Sequence, residues 1–118
     1  MKNYDFLFKD IINRVVEERL NERIIKTVEL VPGLQLDLQI KRLQQCDVDY
    51  ITEKYASVLY KSLTDMTPKE IVLMNEYKYD IIMKACVCPP FNKDDLKEFD
   101  VMTVQKIFET VAKALCEE

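Results

Sequence analysis

The chain has 118 residues, 48% of them apolar and 32% charged, which fits one soluble domain with its own core and excludes a disordered chain. Acidic residues outnumber basic ones 21 to 17 and the Lys and Arg residues are scattered, so neither nucleic acid nor an anionic membrane surface is an expected partner. No apolar run approaches the roughly 20 residues that span a bilayer, and Met1 to Asp10 lacks the basic start and apolar stretch of a signal peptide, so a cytoplasmic protein is expected.

Tyr4 to Leu20 sets Phe8, Ile12, Val15 or Val16, and Leu20 at helical spacing, with Arg14, Glu17, Glu18 and Arg19 filling most of the opposite side. This predicts an amphipathic helix within residues 1–23. From Ile24 to Leu30 the pattern shifts toward alternation and Pro32-Gly33 marks a turn. In "VPGLQLDLQIKRL", from Val31 to Leu43, Leu34, Leu36, Leu38 and Ile40 alternate with Gln35, Asp37, Gln39 and Lys41. A β-hairpin over residues 24–43 is predicted, with one wet and one dry face. Because Pro-Gly suits a type II turn, whose twist matches a two-residue hairpin poorly, a wider loop or splayed strands are expected. A lone two-stranded ribbon is marginal in water. Leu34, Leu36, Leu38 and Ile40 must therefore lie on helices or on the sheet of another copy, and they are the candidate self-association residues.

Asp47 offers a cap for a helix with Val48, Ile51, Tyr55, Val58 or Leu59, and Leu63 on its apolar face. Thr67-Pro68-Lys69-Glu70 has the form of a capping box with Pro at the first helical position, and predicts a helix to about Val87. On that helix Ile71, Met74, Tyr77, Ile81, Ile82 and Ala85 form one apolar arc, and Val72, Tyr79, Met83 and Cys86 a second. A helix apolar over so much of its circumference is either central to the core or buried on its second side by another molecule. Val72, Tyr79, Met83 and, past the Pro-Pro turn, Phe91 are the candidate partner-binding residues. Asn92 with Asp95 opens a short helical turn through Phe99, and Asp100 caps a last helix carrying Val101, Val104, Ile107, Phe108, Val111 and Leu115. The expected fold is mainly α with a small β-hairpin, an α+β class, with a helical part over residues 47–118.

No catalytic constellation emerges. There is no histidine to activate a nucleophile, and Ser57 and Ser62 fall inside a predicted helix. One glycine cannot build a Gly-rich phosphate loop. Asp94, Asp95, Glu98 and Asp100 lack calcium-loop spacing and fall where helix caps are needed, so they are expected to form a solvated acidic turn. Cys46, Cys86, Cys88 and Cys116 lack paired CxxC knuckles. They are expected to be reduced and metal-free. No enzyme, cofactor or metal is expected.

Two segments carry a resemblance. At Tyr79 to Leu115, "YDIIMKACVCPPFNKDDLKEFDVMTVQKIFETVAKAL" joins a helix with a small apolar end to a Pro-containing acidic connection, an Asp-Leu-bearing turn and a closing amphipathic helix. At Val28 to Tyr55, "VELVPGLQLDLQIKRLQQCDVDYITEKY" leads a strand pair ending in "KRL" into a helix. Together they resemble the tail assembly chaperone family of long-tailed phages and prophages. The resemblance implies a small cytoplasmic protein that binds the tape measure protein, helps load tail tube subunits around it, and can self-associate. It also implies the short form of a product made in two lengths by frameshifting. The competing classes are a structural or connector subunit of the phage particle and a small regulatory protein-binding module.

Overall fold

The computed structural model describes residues 2–117, with side chains from residue 8 onward. In chain order they form α1 (Lys2–Asn21), β1 (Arg23–Val31), β2 (Leu34–Lys41), α2 (Gln45–Lys54), α3 (Ala56–Leu59), a 3-10 turn (Leu63–Asp65), α4 (Pro68–Ala85), β3 (Cys86–Cys88), α5 (Lys93–Glu98) and α6 (Val101–Leu115). The fold is α+β, with an antiparallel sheet of order β1-β2-β3.

The hairpin forms where its alternation predicts, but its turn is tight. Only Pro32 and Gly33 lie between the strands, and Gly33 takes the left-handed value, φ 84°, that a Pro-Gly turn needs. The twist mismatch is taken up one residue earlier instead of by a wider loop. Val31 pairs with Leu34 and Glu29 with Gln35, so Leu30 is an extra residue on β1. Such a bulge adds local twist and lets the strands stay paired. The Glu29 carboxylate then accepts the Gly33 N–H at 3.2 Å.

The helix expected to reach Val87 stops at Ala85, and Cys86-Val87-Cys88 becomes a third strand. Two causes act together. Cys88 precedes Pro89, which disfavours helical backbone at Cys88, and β2 offers partners through Ile40↔Cys86 and Gln39↔Cys88. The ribbon thereby gains cover at the edge nearest the core.

Thr67 builds the predicted capping box, its hydroxyl accepting the Glu70 N–H at 3.3 Å while the Glu70 carboxylate accepts the Thr67 N–H at 3.1 Å. Asn92 and Asp95 form a second one at the start of α5. Asp100 stands at the N-cap of α6, where its carboxylate accepts the Thr103 hydroxyl and is held below its ordinary pKa by that bond. Asp47 is not a cap. α2 begins at Gln45, so Asp47 lies inside its first turn and pairs with Lys84 at 3.7 Å.

The core has two parts with α4 between them. In one, α4 and α6 lie on the dry face of the sheet, and Val28, Leu38, Ile40, Ile82, Ala85, Cys86, Leu96, Val104, Ile107, Val111 and Ala114 are buried together. In the other, Ile51, Tyr55 and Val58 pack with Leu73, Met74 and Tyr77. Ile81 touches both. Tyr77 bridges them as well, its ring meeting Tyr55 edge-on at 5.7 Å and Phe108 at 5.9 Å. Past its first turn, where Ile71 and Val72 stay open, α4 is therefore a central helix covered by its own chain.

Candidate interaction surface

α1 is the helix this core leaves out. At about 100° per residue, Ile11, Val15, Phe8, Ile12 and Val16 fall within an arc of about 140°. They are between 41% and 65% exposed. The base of the helix is fixed. Arg42 Nε pairs with Glu22 at 3.1 Å, and Arg42 Nη1 donates to the Glu117 carbonyl at 2.6 Å, which ties the end of α1 to the end of α6. The Arg42 guanidinium holds the Glu22 carboxyl below the usual carboxylate range. Beyond this anchor, Arg14 and Glu18 pair with each other at 3.2 Å on the flank of the stripe. The radius of gyration records the projection. It is 17.3 Å, against about 13.5 Å for a compact domain of this length.

The geometry follows from the sequence between the elements. α1 ends at Asn21 and β1 begins at Arg23, so Glu22 alone connects them. A helix folded back over its own sheet needs a connection of roughly 2 to 6 residues, commonly with Gly or Pro, and this junction has neither. α1 therefore continues outward instead of turning onto the dry face of the sheet.

The residues proposed from sequence for partner binding are not brought together as an open patch. Val72 is 60% exposed, near the start of α4. Tyr79 and Met83 are half-buried against the sheet and α6, the side of α4 that the chain itself covers. Phe91 packs on the same core and meets the Phe99 ring at 6.2 Å. The self-association candidates divide along the strand. Leu38 and Ile40 are fully enclosed by the chain's own helices and unavailable to another copy, Leu36 is half-buried, and Leu34 at the hairpin tip is 55% exposed.

Cys46, Cys88 and Cys116 are exposed thiols and Cys86 is a buried one. The Cys86 thiol donates to the Pro89 carbonyl at 3.4 Å, and burial pushes its pKa up to about 11. Among the described residues, no three His, Cys, Asp or Glu side chains converge as a metal site, and no helix is long and apolar enough to cross a membrane. Asp95 and Asp100 serve the helix starts noted above, and Asp94 and Glu98 face solvent.

Comparison of the chain with protein-family models, with curated proteins and with solved structures returns no match. The surface is therefore defined by its chemistry. Ile11 and the free stripe of α1 were missing from the sequence-derived site residues, although the direct passage from helical to alternating pattern at Asn21-Glu22-Arg23 was the available signal.

Proposed function

We propose that the protein is a tail assembly chaperone of a phage or prophage, acting in the bacterial cytoplasm. It holds apolar helical segments of the tape measure protein while tail tube subunits are loaded around them, and it does so without catalysing a reaction. The observation that carries this proposal is the uncovered stripe of α1, added to the resemblance of the segments from Val28 and from Tyr79. A helix with one apolar face left open recognises a partner through anchors at three- and four-residue spacing.

The size of the stripe suits a carrier. From Phe8 to Val16 the stripe runs about 12 Å, and at about 10 Å wide it offers about 120 Å². Stable complexes bury about 800 Å² on each partner, so this strip alone gives weak, releasable binding. In this reading the partner-binding role expected of Val72, Tyr79, Met83 and Phe91 passes to the open stripe of Phe8, Ile11, Ile12, Val15 and Val16.

The test is co-expression of the tagged chain with helical fragments of a phage tape measure protein. Wild type should capture a fragment, and Ile12→Glu with Val15→Glu should release it without lowering the thermal midpoint of the body. Equal capture by the variant overturns the assignment. Mass spectrometry of finished particles should find the chain absent; presence at fixed copy number identifies a structural or connector subunit instead.

A further inference from the structure

The corner where α5 meets α6 carries a second concave surface, of different chemistry from α1. Pro89, Pro90, Phe91, Asp95, Glu98 and Phe99 line an open groove of about 320 Å³. The Phe91 and Phe99 rings, inclined at 79° to each other, give it an apolar floor. Asp95 and Glu98 stand three residues apart on α5, hence on one side of that helix. The Asp95 carboxylate accepts the Asn92 N–H at 3.3 Å. Glu98 has no hydrogen-bond or ion-pair partner among the described residues. The nearby cations do not neutralise this side. Lys93 is engaged by Glu76, and Lys97 lies about 200° round the helix from Asp95.

We infer that this groove docks a basic side chain, arginine foremost, carried on an otherwise apolar segment of a partner protein. A guanidinium lies flat on an aromatic ring and presents forked donors to a carboxylate, which matches a phenylalanine floor beneath an anionic lip. A wholly apolar segment would desolvate Glu98 without pairing it, and an acidic one would be repelled. Charge complementarity therefore selects the occupant. The inference goes beyond the chaperone assignment and does not use α1.

Titration of the isotope-labelled full chain with three synthetic peptides, one apolar sequence bearing two Arg, two Lys or two Glu residues, tests it by amide chemical shifts. The Arg peptide should move Phe91, Asn92, Asp95, Glu98 and Phe99, the Lys peptide should bind more weakly, and the Glu peptide should leave them unmoved. Glu98→Gln, at an exposed position, should weaken the Arg peptide about tenfold, and added salt should weaken it in wild type. Binding of the Glu peptide as tight as that of the Arg peptide overturns the inference. So does unchanged affinity in Glu98→Gln, or shifts confined to α1. The α1 variant Ile12→Glu with Val15→Glu should bind the Arg peptide as wild type does, which separates failure at the groove from failure of the chaperone assignment.

Discussion

α1 and α6 carry the same kind of apolar pattern and meet opposite fates. In α6, Val104, Ile107, Val111 and Ala114 recur at three- and four-residue spacing and are buried. In α1, Phe8, Ile11, Ile12, Val15 and Val16 recur in the same way and stay open. The difference lies in how each helix joins the sheet. α6 is reached through Pro89-Pro90 and the short α5, which give the chain room to reverse and lay α6 across β1 and β2 beside α4. α1 passes into β1 through one residue, Glu22. Periodicity says which side of a helix must be covered, and the connection decides whether the same chain can cover it.

The largest contrast should come from placing one charge in each helix. Ile107 is fully buried, so Ile107→Asp loses a packed side chain and strands a carboxylate, at a cost of at least about 4 kcal/mol. Ile12→Asp puts the same charge on an open surface and should cost under about 1 kcal/mol, mostly helix propensity. Urea denaturation of the two variants measures both. Equal losses would mean that α1 is packed in solution, and the comparison would collapse.

A second contrast lies within α4. Tyr79→Glu with Met83→Glu should cost about 3 kcal/mol or more, because both side chains rest on the sheet and α6. Val72→Glu, on the open part of the same helix, should stay within about 0.5 kcal/mol. If the double variant keeps its thermal midpoint, the packing of Tyr79 and Met83 is dispensable and the patch first inferred from sequence regains its case.

Much of the fold was legible because local chemistry spoke for it. The strict alternation from Leu34 to Ile40 defines a strand, Thr67-Pro68-Lys69-Glu70 a helix start, and Asn92 with Asp95 another. β3 was not legible. Cys86-Val87-Cys88 continues the apolar pattern of α4, and only the partners offered by Gln39 and Ile40 turn it into a strand. The two arcs of α4 were visible, but spacing along one helix carries no information on whether its second side meets the sheet and α6 of the same chain or another molecule. Tyr79, Met83 and Phe91, expected in an open patch, pack on the chain's own core for that reason. The apolar side of α1 was recognised, yet its exposure depends on a junction whose geometry no periodicity reports.

Alkali offers a smaller and graded way to loosen the body, where Tyr55 and Cys86 are buried. Burial pushes the Tyr55 phenol up from 10.0 to about 12, helped by its hydrogen bond to the Asp80 carboxylate. Burial likewise pushes Cys86 up from 9.0 to about 11. Both folded-state values lie above the unfolded ones, so their contribution is complete below pH about 9 and is lost as pH rises. The loss should run from about 9 to 11 for Cys86 and from about 10 to 12 for Tyr55. Urea midpoints across that range should fall, and Cys86→Ala should remove the earlier part of the fall. A flat profile to pH 12 would show that neither group is shielded as the structure places it.

The smallest effect should come at the tip of the hairpin, where the contrast between α6 and α1 repeats inside one strand. Leu38 is enclosed, and Leu38→Ala should cost about 2 to 5 kcal/mol. Leu34 points the same way along β2 but lies past the reach of α4 and α6, opposite Val31, which is also exposed. Leu34→Thr should therefore change stability by less than about 0.5 kcal/mol, because it removes little buried surface and Thr suits a strand. The measurement also decides between two fates for the ribbon. If its apolar end stays wet, the small effect holds at every protein concentration. If another copy covers it, Leu34→Thr should lower the thermal midpoint only at high concentration, where the wild type gains stability by association and the variant does not.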